Sequence, residues 1–501
     1  MNRTSPLPRA AKVESYRLRV DARLTNEPGG SLVLEQSRYR LRLPHPEAGR
    51  RAVLLRMAEG WLSDLQMAQL VTGLEGEARI LPAQLLVRRL LSHSWLERRV
   101  AAGARPLLDV VPRGIGAQSA PARRPHGVGV VYRLSRFAVL RTDQGRMLAH
   151  SPLSSVAIGC AHTQLGAVLA GAAADGVSRL DVAKGLEVDE STAGHVLDEL
   201  LTAQVLVTSE EAEAEHGTAP MGLWSPEELW LHDRTRPQRH AAPIGATHRF
   251  RGVLEPEPAQ PGGPTTRPVI ELPAPPPGPV DATRDSLAAV MSRRRSVRHQ
   301  DDARPITAAQ LAEFLHRVQR FEPAAAGATA GATARATDGG VDGPEAGRRP
   351  YPGAGGIGEL EIYPLVSRCA GLESGLYHYD SVRHGLAAVA ATGPETAKML
   401  SFARATASMP DAPQVLFVIT ARIGRLMWKY EGIPYALALK DAGILTAWMY
   451  LVATDMGLAP CALGAGDVAS FAALSGLDTL VEPAIAEFAL GSCPSDSEEQ
   501  P

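Results

Sequence analysis

Between Leu223 and Asp281 the chain becomes rich in proline, ending in Leu272-Pro273-Ala274-Pro275-Pro276-Pro277-Gly278-Pro279. Proline fixes φ and has no amide hydrogen to donate, so such a run builds neither a helix interior nor a central strand. It predicts an extended surface linker over 216–280. A chain of 501 residues also exceeds what one hydrophobic core organises. The two constraints divide it into a front half, 1–215, and a carboxy-terminal domain over 281–495. Within the linker, Leu223-Trp224 and Leu229-Trp230-Leu231-His232 form a short aromatic cluster expected to dock on one of the halves.

The front half reads as a repeat. Tyr16, Leu18, Val20, Ala22 and Leu24 alternate with Arg17, Arg19, Asp21 and Arg23, and Tyr39, Leu41 and Leu43 alternate with Arg38, Arg40 and Arg42. Period-2 alternation marks strands with one face on a core. Glu27-Pro28-Gly29-Gly30 is a turn between them, and helical spacing follows to Trp95. About 116 residues later, Tyr132-Arg133-Leu134 echoes Tyr16-Arg17-Leu18, and strands again lead into helices. Residues 180–207 read as helix, turn, helix and short strand, a winged-helix pattern. The expected repeats are 1–115 and 125–215.

Winged helices commonly bind DNA. Here the would-be recognition helix carries Asp189, Glu190, Asp198 and Glu199, which would repel phosphates. Net charge is −2, which gives no general affinity for nucleic acid or acidic membranes. The sharper reading is a module that holds a peptide by strand addition to a sheet edge, with a packing domain as the plain alternative. Cys160, Cys369, Cys461 and Cys493 form no ligand-spaced pair, so neither a zinc site nor a disulfide framework is expected, and no metal. The apolar stretch Tyr435–Met456 contains Lys440, Asp441 and Asp455, which fits a buried helix better than a membrane span. A reducing, cytoplasmic setting is the expectation.

The second half opens on Ser292-Arg293-Arg294-Arg295-Ser296-Val297-Arg298. Guanidinium forks match phosphate oxygens with paired charge-assisted hydrogen bonds, and a hydroxyl can serve another oxygen. Ile306–Val318 is an amphipathic helix with Thr307 placed to cap it. A segment rich in Ala, Gly and Thr, 324–347, reads as an insertion. Arg348-Arg349-Pro350-Tyr351-Pro352-Gly353-Ala354-Gly355-Gly356-Ile357-Gly358-Glu359 then leads into a strand, Leu360–Val366. Glycines crowd where backbone must approach a flat ligand closely.

In order, Arg-Arg-Ser-Val-Arg, Arg-Pro-Tyr-Pro with Ala-Gly-Gly, Glu361-Ile362-Tyr363, Gly375-Leu376-Tyr377-His378-Tyr379-Asp380 and Ala489-Leu490-Gly491 resemble the flavin-dependent nitroreductase superfamily. The Gly-Leu-Tyr-His-Tyr-Asp run is similar to its SagB-type branch, which includes the azoline oxidases that make thiazoles and oxazoles in ribosomal peptide natural products. The resemblance covers about residues 225–492. The front tandem repeat resembles, in layout, the paired peptide-clamp domains of cyanobactin-type oxidases. The implied fold class is α+β, with a nitroreductase-like FMN domain preceded by two winged-helix-like repeats.

The resemblance implies FMN held noncovalently at a homodimer interface. Arg294, Arg295, Ser296 and Arg298 would hold its phosphate and ribityl chain. Pro352, Ala354, Gly355 and Gly356 would lie along the ring, and Leu463 and Gly464 would contact it from the loop after the long helix. Three positions depart from the family pattern: Gln300 stands where an aromatic is usual, and Gly353 and Glu359 where Ser and Pro are. No basic residue follows Gly491 to meet the phosphate.

Lys429-Tyr430 is similar to the lysine-tyrosine pair of azoline oxidases. Aromatising an azoline removes a proton from one ring carbon and a hydride from its neighbour, so a base is needed. An adjacent ammonium favours the phenolate, which makes Tyr430 the expected base with Lys429 tuning it or orienting the substrate; the roles can be exchanged. The expected activity is FMN-dependent oxidation of thiazoline or oxazoline rings on a leader-bearing precursor peptide, after a cyclodehydratase partner installs them. An NAD(P)H-dependent nitroreductase-like oxidoreductase of small molecules and a non-catalytic peptide-binding scaffold are the alternatives.

Overall fold

The computed structural model describes residues 12–36, 39–114, 129–143, 145–236, 240, 242–258, 269–273, 286–323 and 347–494. It separates into two units, Met1–Pro243 and Ile244–Pro501. The expected insertion over 324–347 lies, but for Gly347, outside the described residues, as do Ala274–Pro279 of the proline run.

The first unit repeats one plan. Strand β1 (Lys12–Leu18) precedes a meander of β2 (Arg23–Asn26), β3 (Leu32–Gln36) and β4 (Tyr39–Leu43). Then come helix α1 (Ala48–Glu59), the short strand β5 (Leu62–Ser63), α2 (Asp64–Glu75), α3 (Ile80–Ser92) and the hairpin β6 (Leu96–Ala102) with β7 (Arg105–Pro112). The second pass gives β8 (Tyr132–Leu134), a meander β9 (Val139–Asp143), β10 (Arg146–His150) and β11 (Val156–Cys160), helices α4 (Thr163–Ala174), α5 (Arg179–Leu186) and α6 (Glu190–Thr202), and β12 (Leu206–Thr208). Tyr16 faces Leu62 across β1 and β5, and Tyr132 bridges Val177 in the same way.

The two copies do not stay separate. The second meander joins the hairpin of the first copy, giving a seven-stranded sheet ordered β5-β1-β6-β7-β11-β10-β9. Val110 opposite Ile158 and Val111 opposite Ala157 make that seam apolar. Helices α4, α5 and α6 bury Leu165, Val182 and Leu197 against Leu108, Val110 and Ile158 on one sheet face. The other face carries charge: Glu97 binds Arg17 at 2.6 Å and Arg146 at 2.9 Å, and Asp109 binds Arg99 at 2.7 Å.

The segment expected to be linker over 216–280 is structured in part, which corrects its boundaries. After α7 (Ser209–Gly217), helix α8 (Pro226–Arg234) packs on the first unit. Trp230 Nε1 donates to the Phe137 carbonyl at 3.0 Å, and Asp233 pairs with Arg113. Indole and apolar anchors outweigh the proline content here, as the aromatic cluster suggested. From Ile244 the chain belongs to the second unit, where β13 (Val269–Glu271) adds to a sheet edge.

That unit continues with α9 (Leu287–Arg293), α10 (Ala308–Gln319), β14 (Glu322–Pro323), β15 (Gly347–Arg348), β16 (Leu360–Val366), β17 (Gly375–Asp380), β18 (Gly385–Ala391), α11 (Pro394–Thr406), β19 (Val415–Ala421), α12 (Ile423–Lys429), α13 (Pro434–Asp455), β20 (Leu458–Leu463), α14 (Val468–Ser475) and β21 (Ala484–Ser492). Its antiparallel sheet runs β13-β18-β17-β16-β19-β21-β20. Alternation places Ile362, Phe417 and Ile419 under α10 and α13, and Tyr363, Leu365, Leu416 and Val418 under α11 and α14. Burial on both faces explains why β16 and β19 read as continuous apolar runs. Thr307 caps α10 reciprocally with Gln310, as its spacing predicted. Helix α13 has the length and hydropathy of a membrane span, yet Ala438, Leu445, Met449 and Ala453 lie in the core.

A buried amide ties the chain's distant turns together. The Gln414 side-chain oxygen accepts from the Ile306 amide at 2.9 Å and the Ser492 amide at 3.0 Å, while the Gln414 amide donates to Gln300 at 2.8 Å. Gln300 lies so close over Gly491 that a β-carbon there would collide with it, which is how a glutamine occupies the position expected to be aromatic. Losing a buried partner leaves each amide unpaired at about 1–3 kcal/mol. Gln414→Ala is therefore predicted to destabilise this unit by at least about 2 kcal/mol in urea unfolding; an unchanged midpoint would refute the role of the hub.

Candidate active site

Two clusters on α13 make the site. At the first, residues 353–358 form a turn of glycines. Gly355, Gly356 and Gly358 have φ of 62°, 67° and 64°, a left-handed conformation that costs a side chain strain. A β-carbon at Gly355 would also stand 2.6 Å from Tyr430 Oη and 2.7 Å from Lys429 Nζ, so those side-chain ends would have to shift. The loop is fixed at its centre by Asp441, which accepts the Ala354 amide at 2.7 Å. Upstream, Arg349 donates to the Gln319 carbonyl at 2.5 Å and Tyr351 Oη to the Gln319 side chain at 3.0 Å. A cleft of about 220 Å³ opens along Pro352, Gly353, Gly356, Glu359 and Asp441.

Lys429 and Tyr430 stand where α12 ends, and a belt from the preceding chain holds that end. Gly245 and Glu431 exchange backbone hydrogen bonds at 3.0 and 2.9 Å, and the His248 amide donates to the Lys429 carbonyl at 3.1 Å. Trp428 Nε1 donates to the Leu254 carbonyl at 2.8 Å. Arg425, wholly buried, spans the belt and the glycine loop by donating to the carbonyls of Glu257 and Ile357, both at 2.7 Å. The proline-rich composition of this region concealed the belt from sequence reading.

The electrostatics reverse the expected order of the two groups. Lys429 is only 6% exposed, and burial lowers its pKa. Its Nζ lies 5.2 Å from the centre of the Tyr430 ring. Tyr430 is raised, first by burial and then by Asp441 and Glu359. The phenolate expected from the neighbouring ammonium is therefore disfavoured, by burial first and then by the nearby acidic groups. Glu359 is 1% exposed; burial, and then its contact with Asp441, pushes its carboxyl up to about 8. A protonated Glu359 shares the site with Asp441, a residue that no motif singled out.

The second cluster gathers the arginine run. Tyr450, on α13, joins Ser296 Oγ at 2.7 Å and accepts the Ala462 amide at 2.8 Å. Arg294 lies over the Tyr450 ring, 5.3 Å from its centre. The Val297 amide donates to the Pro460 carbonyl at 2.8 Å, and Arg298 Nε to the Ala407 carbonyl at 2.7 Å. Asp301 pairs with Arg304 at 2.7 Å. Arg294, Arg295, Ser296 and Arg298 thus stand at the end of β20, which leads into Leu463 and Gly464. Arg294, Arg295 and Arg298 are exposed. Asp441 and Tyr450 are nine residues apart, which sets the clusters about 13 Å apart along the helix. Sequence reading found both clusters but not the α13 residues that link them.

Residues 291–491 match the model of the nitroreductase family, and residues 132–241 match that of the cyanobactin oxidase ThcOx. A putative nitroreductase of Methanocaldococcus jannaschii is 26% identical over 185 residues, covering 37% of this chain and 81% of that protein. Among solved structures, a putative nitroreductase from Ralstonia eutropha JMP134 aligns over 50% of this chain and 99% of its own, at 23% identity and a TM-score of 0.34. The Escherichia coli microcin synthetase McbBCD complex with truncated pro-MccB17 aligns over 44% of this chain and 77% of the matched one, at 20% identity and a TM-score of 0.32.

The Lys429 amine is predicted to titrate below the ordinary lysine value, read from the carbon resonances of reductively methylated lysines assigned with Lys429→Arg. A Lys429 signal at or above that value would contradict the buried environment described.

Proposed function

We propose that this chain, which carries a nitroreductase-family domain over 291–491 behind a cyanobactin-oxidase-type domain over 132–241, is an FMN-dependent dehydrogenase that aromatises thiazoline or oxazoline rings on a ribosomally made peptide. The observation that carries the reading is the meeting of Lys429 Nζ and Tyr430 Oη over Gly355. It puts a buried amine and a phenol beside backbone bare enough for a planar ring.

The residues fit a flavin nucleotide. Exposed guanidiniums of Arg294, Arg295 and Arg298 with Ser296 suit a phosphate and polyol chain. The loop of Pro352, Ala354, Gly355 and Gly356 offers the close backbone approach that a tricyclic ring needs; Leu463 instead packs toward α11 and α14. The chemistry that a bound flavin supplies is acceptance of a hydride.

Lys429 takes the ring proton. Burial favours its neutral form, so the amine is a competent base at a pH where an exposed lysine is not. Tyr430, kept as the phenol, donates a hydrogen bond that orients the azoline. The azoline loses one proton and two electrons with the hydride and becomes the azole; oxygen then takes the electrons. A partner cyclodehydratase supplies the azoline, and the first unit holds the peptide that bears it. A second copy of the chain covers the exposed stripe Tyr435, Leu439 and Ile444 on α13, together with Leu287 and Met291 on α9.

Lys429→Ala is predicted to retain flavin while azole formation, followed by mass spectrometry, falls about 10²–10⁴-fold. Tyr430→Phe should lose far less. Wild-type single-turnover rate should rise with pH to a plateau set by Lys429, and Lys429→Ala should lack that limb. Full turnover in Lys429→Ala would remove the assignment.

A further inference from the structure

The first unit contains a cavity of about 630 Å³ beside the charged face of its seven-stranded sheet. It is within the size range of ligand sites. Its rim is β9, the last strand of that sheet, paired on one side only, with β10, among the described residues. All five residues of β9 are exposed, with Val139 and Leu140 at 38% and 40%. Such an edge presents a row of unpaired backbone donors and acceptors, and natural proteins ordinarily cover it.

Several of the cavity's charges are paired. Arg19 is held by Asp21 at 2.9 Å, Arg146 by Glu97 at 2.9 Å, and Arg113 by Asp233. Arg141 and Asp143, two residues apart on the same face of β9, have no salt bridge among the described residues, and of the two Arg141 is the one that acts on His150. On the neighbouring strand β10, opposite Val139, His150 is 3% exposed, and its Nε2 has no hydrogen-bond partner among the described residues. Its ring stands edge-on to Trp230, 4.8 Å between centres. Burial, then the charges of Arg141 and Arg113, pushes His150 down to about 3, so the ring is neutral at neutral pH. A neutral buried ring with an unsatisfied nitrogen, next to an unneutralised guanidinium, is complementary to a carboxylate.

We propose that an extended acidic peptide segment binds here, adding to β9 as an eighth strand and placing an aspartate or glutamate side chain between Arg141 and His150. Strand addition supplies affinity through backbone bonds, and the cavity supplies the selection for acid at alternate positions. Register supports this: Val139, Arg141 and Asp143 alternate onto the face shared by Arg146, Leu148 and His150. The inference builds on the peptide-substrate reading above and gives that peptide a chemical preference. Its test is a binding measurement that needs no turnover, so each reading can fail without the other.

The probe is a fluorescein-labelled octapeptide alternating glutamate and valine, titrated with the full-length protein at low salt and read by anisotropy. Its lysine-valine counterpart is the comparison. The glutamate peptide is expected to bind, and Arg141→Glu should weaken it at least about tenfold while favouring the lysine peptide. Two versions N-methylated on alternate sets of amides should differ, because one set faces β9: that version loses binding and the other keeps it. His150→Phe should weaken the glutamate peptide and leave the lysine peptide unaffected. Binding of neither peptide, equal binding of both, or affinity indifferent to Arg141→Glu and to both methylations would overturn the proposal.

Discussion

The carboxylate of Asp441, accepting the Ala354 amide at 2.7 Å, is the constraint on which the second unit's site depends. It pins a loop whose glycines adopt left-handed conformations to the central face of α13. That loop then sits against Lys429 and Tyr430. Further along the same helix, Tyr450 gathers Ser296 and Ala462, so one rigid element positions both clusters. Precision of this kind comes more readily from a helix than from loops alone.

The same carboxylate shapes the acid-base chemistry. With Glu359 it makes a buried acidic pair; burial and then that pair raise Tyr430, while burial lowers Lys429. Burial therefore favours the phenol of Tyr430 and the neutral form of Lys429, where the sequence suggested a phenolate and an ammonium. In the proposed reaction this inverts the assignment of base and orienting group. It also gives a use to Glu359, at a position where proline was expected.

Motif reading singled out the arginine run, the glycine loop and Lys429-Tyr430, which are all local in sequence. It missed Asp441 and Tyr450 because their partners are 87 and 154 residues away, and nothing local marks a helix residue for such a contact. The tyrosine pKa was misjudged for the same reason, since burial and distant carboxylates set it. The repeat was visible in Tyr16 and Tyr132, but its joining was not: pairing of β7 with β11 depends on two apolar strands that each copy could have covered otherwise. In the linker, composition concealed two functions. Trp230 anchors α8 to the first unit, and residues 245–257 belt the helix that carries Lys429.

The most direct test of the account is anaerobic mixing of the flavin-loaded protein with a peptide bearing one thiazoline, monitored by visible absorption. The oxidised flavin is expected to bleach in a single phase, with one thiazole formed for each flavin reduced. Flavin that is bleached by NADPH but not by the peptide, or protein that takes up no flavin, would contradict it.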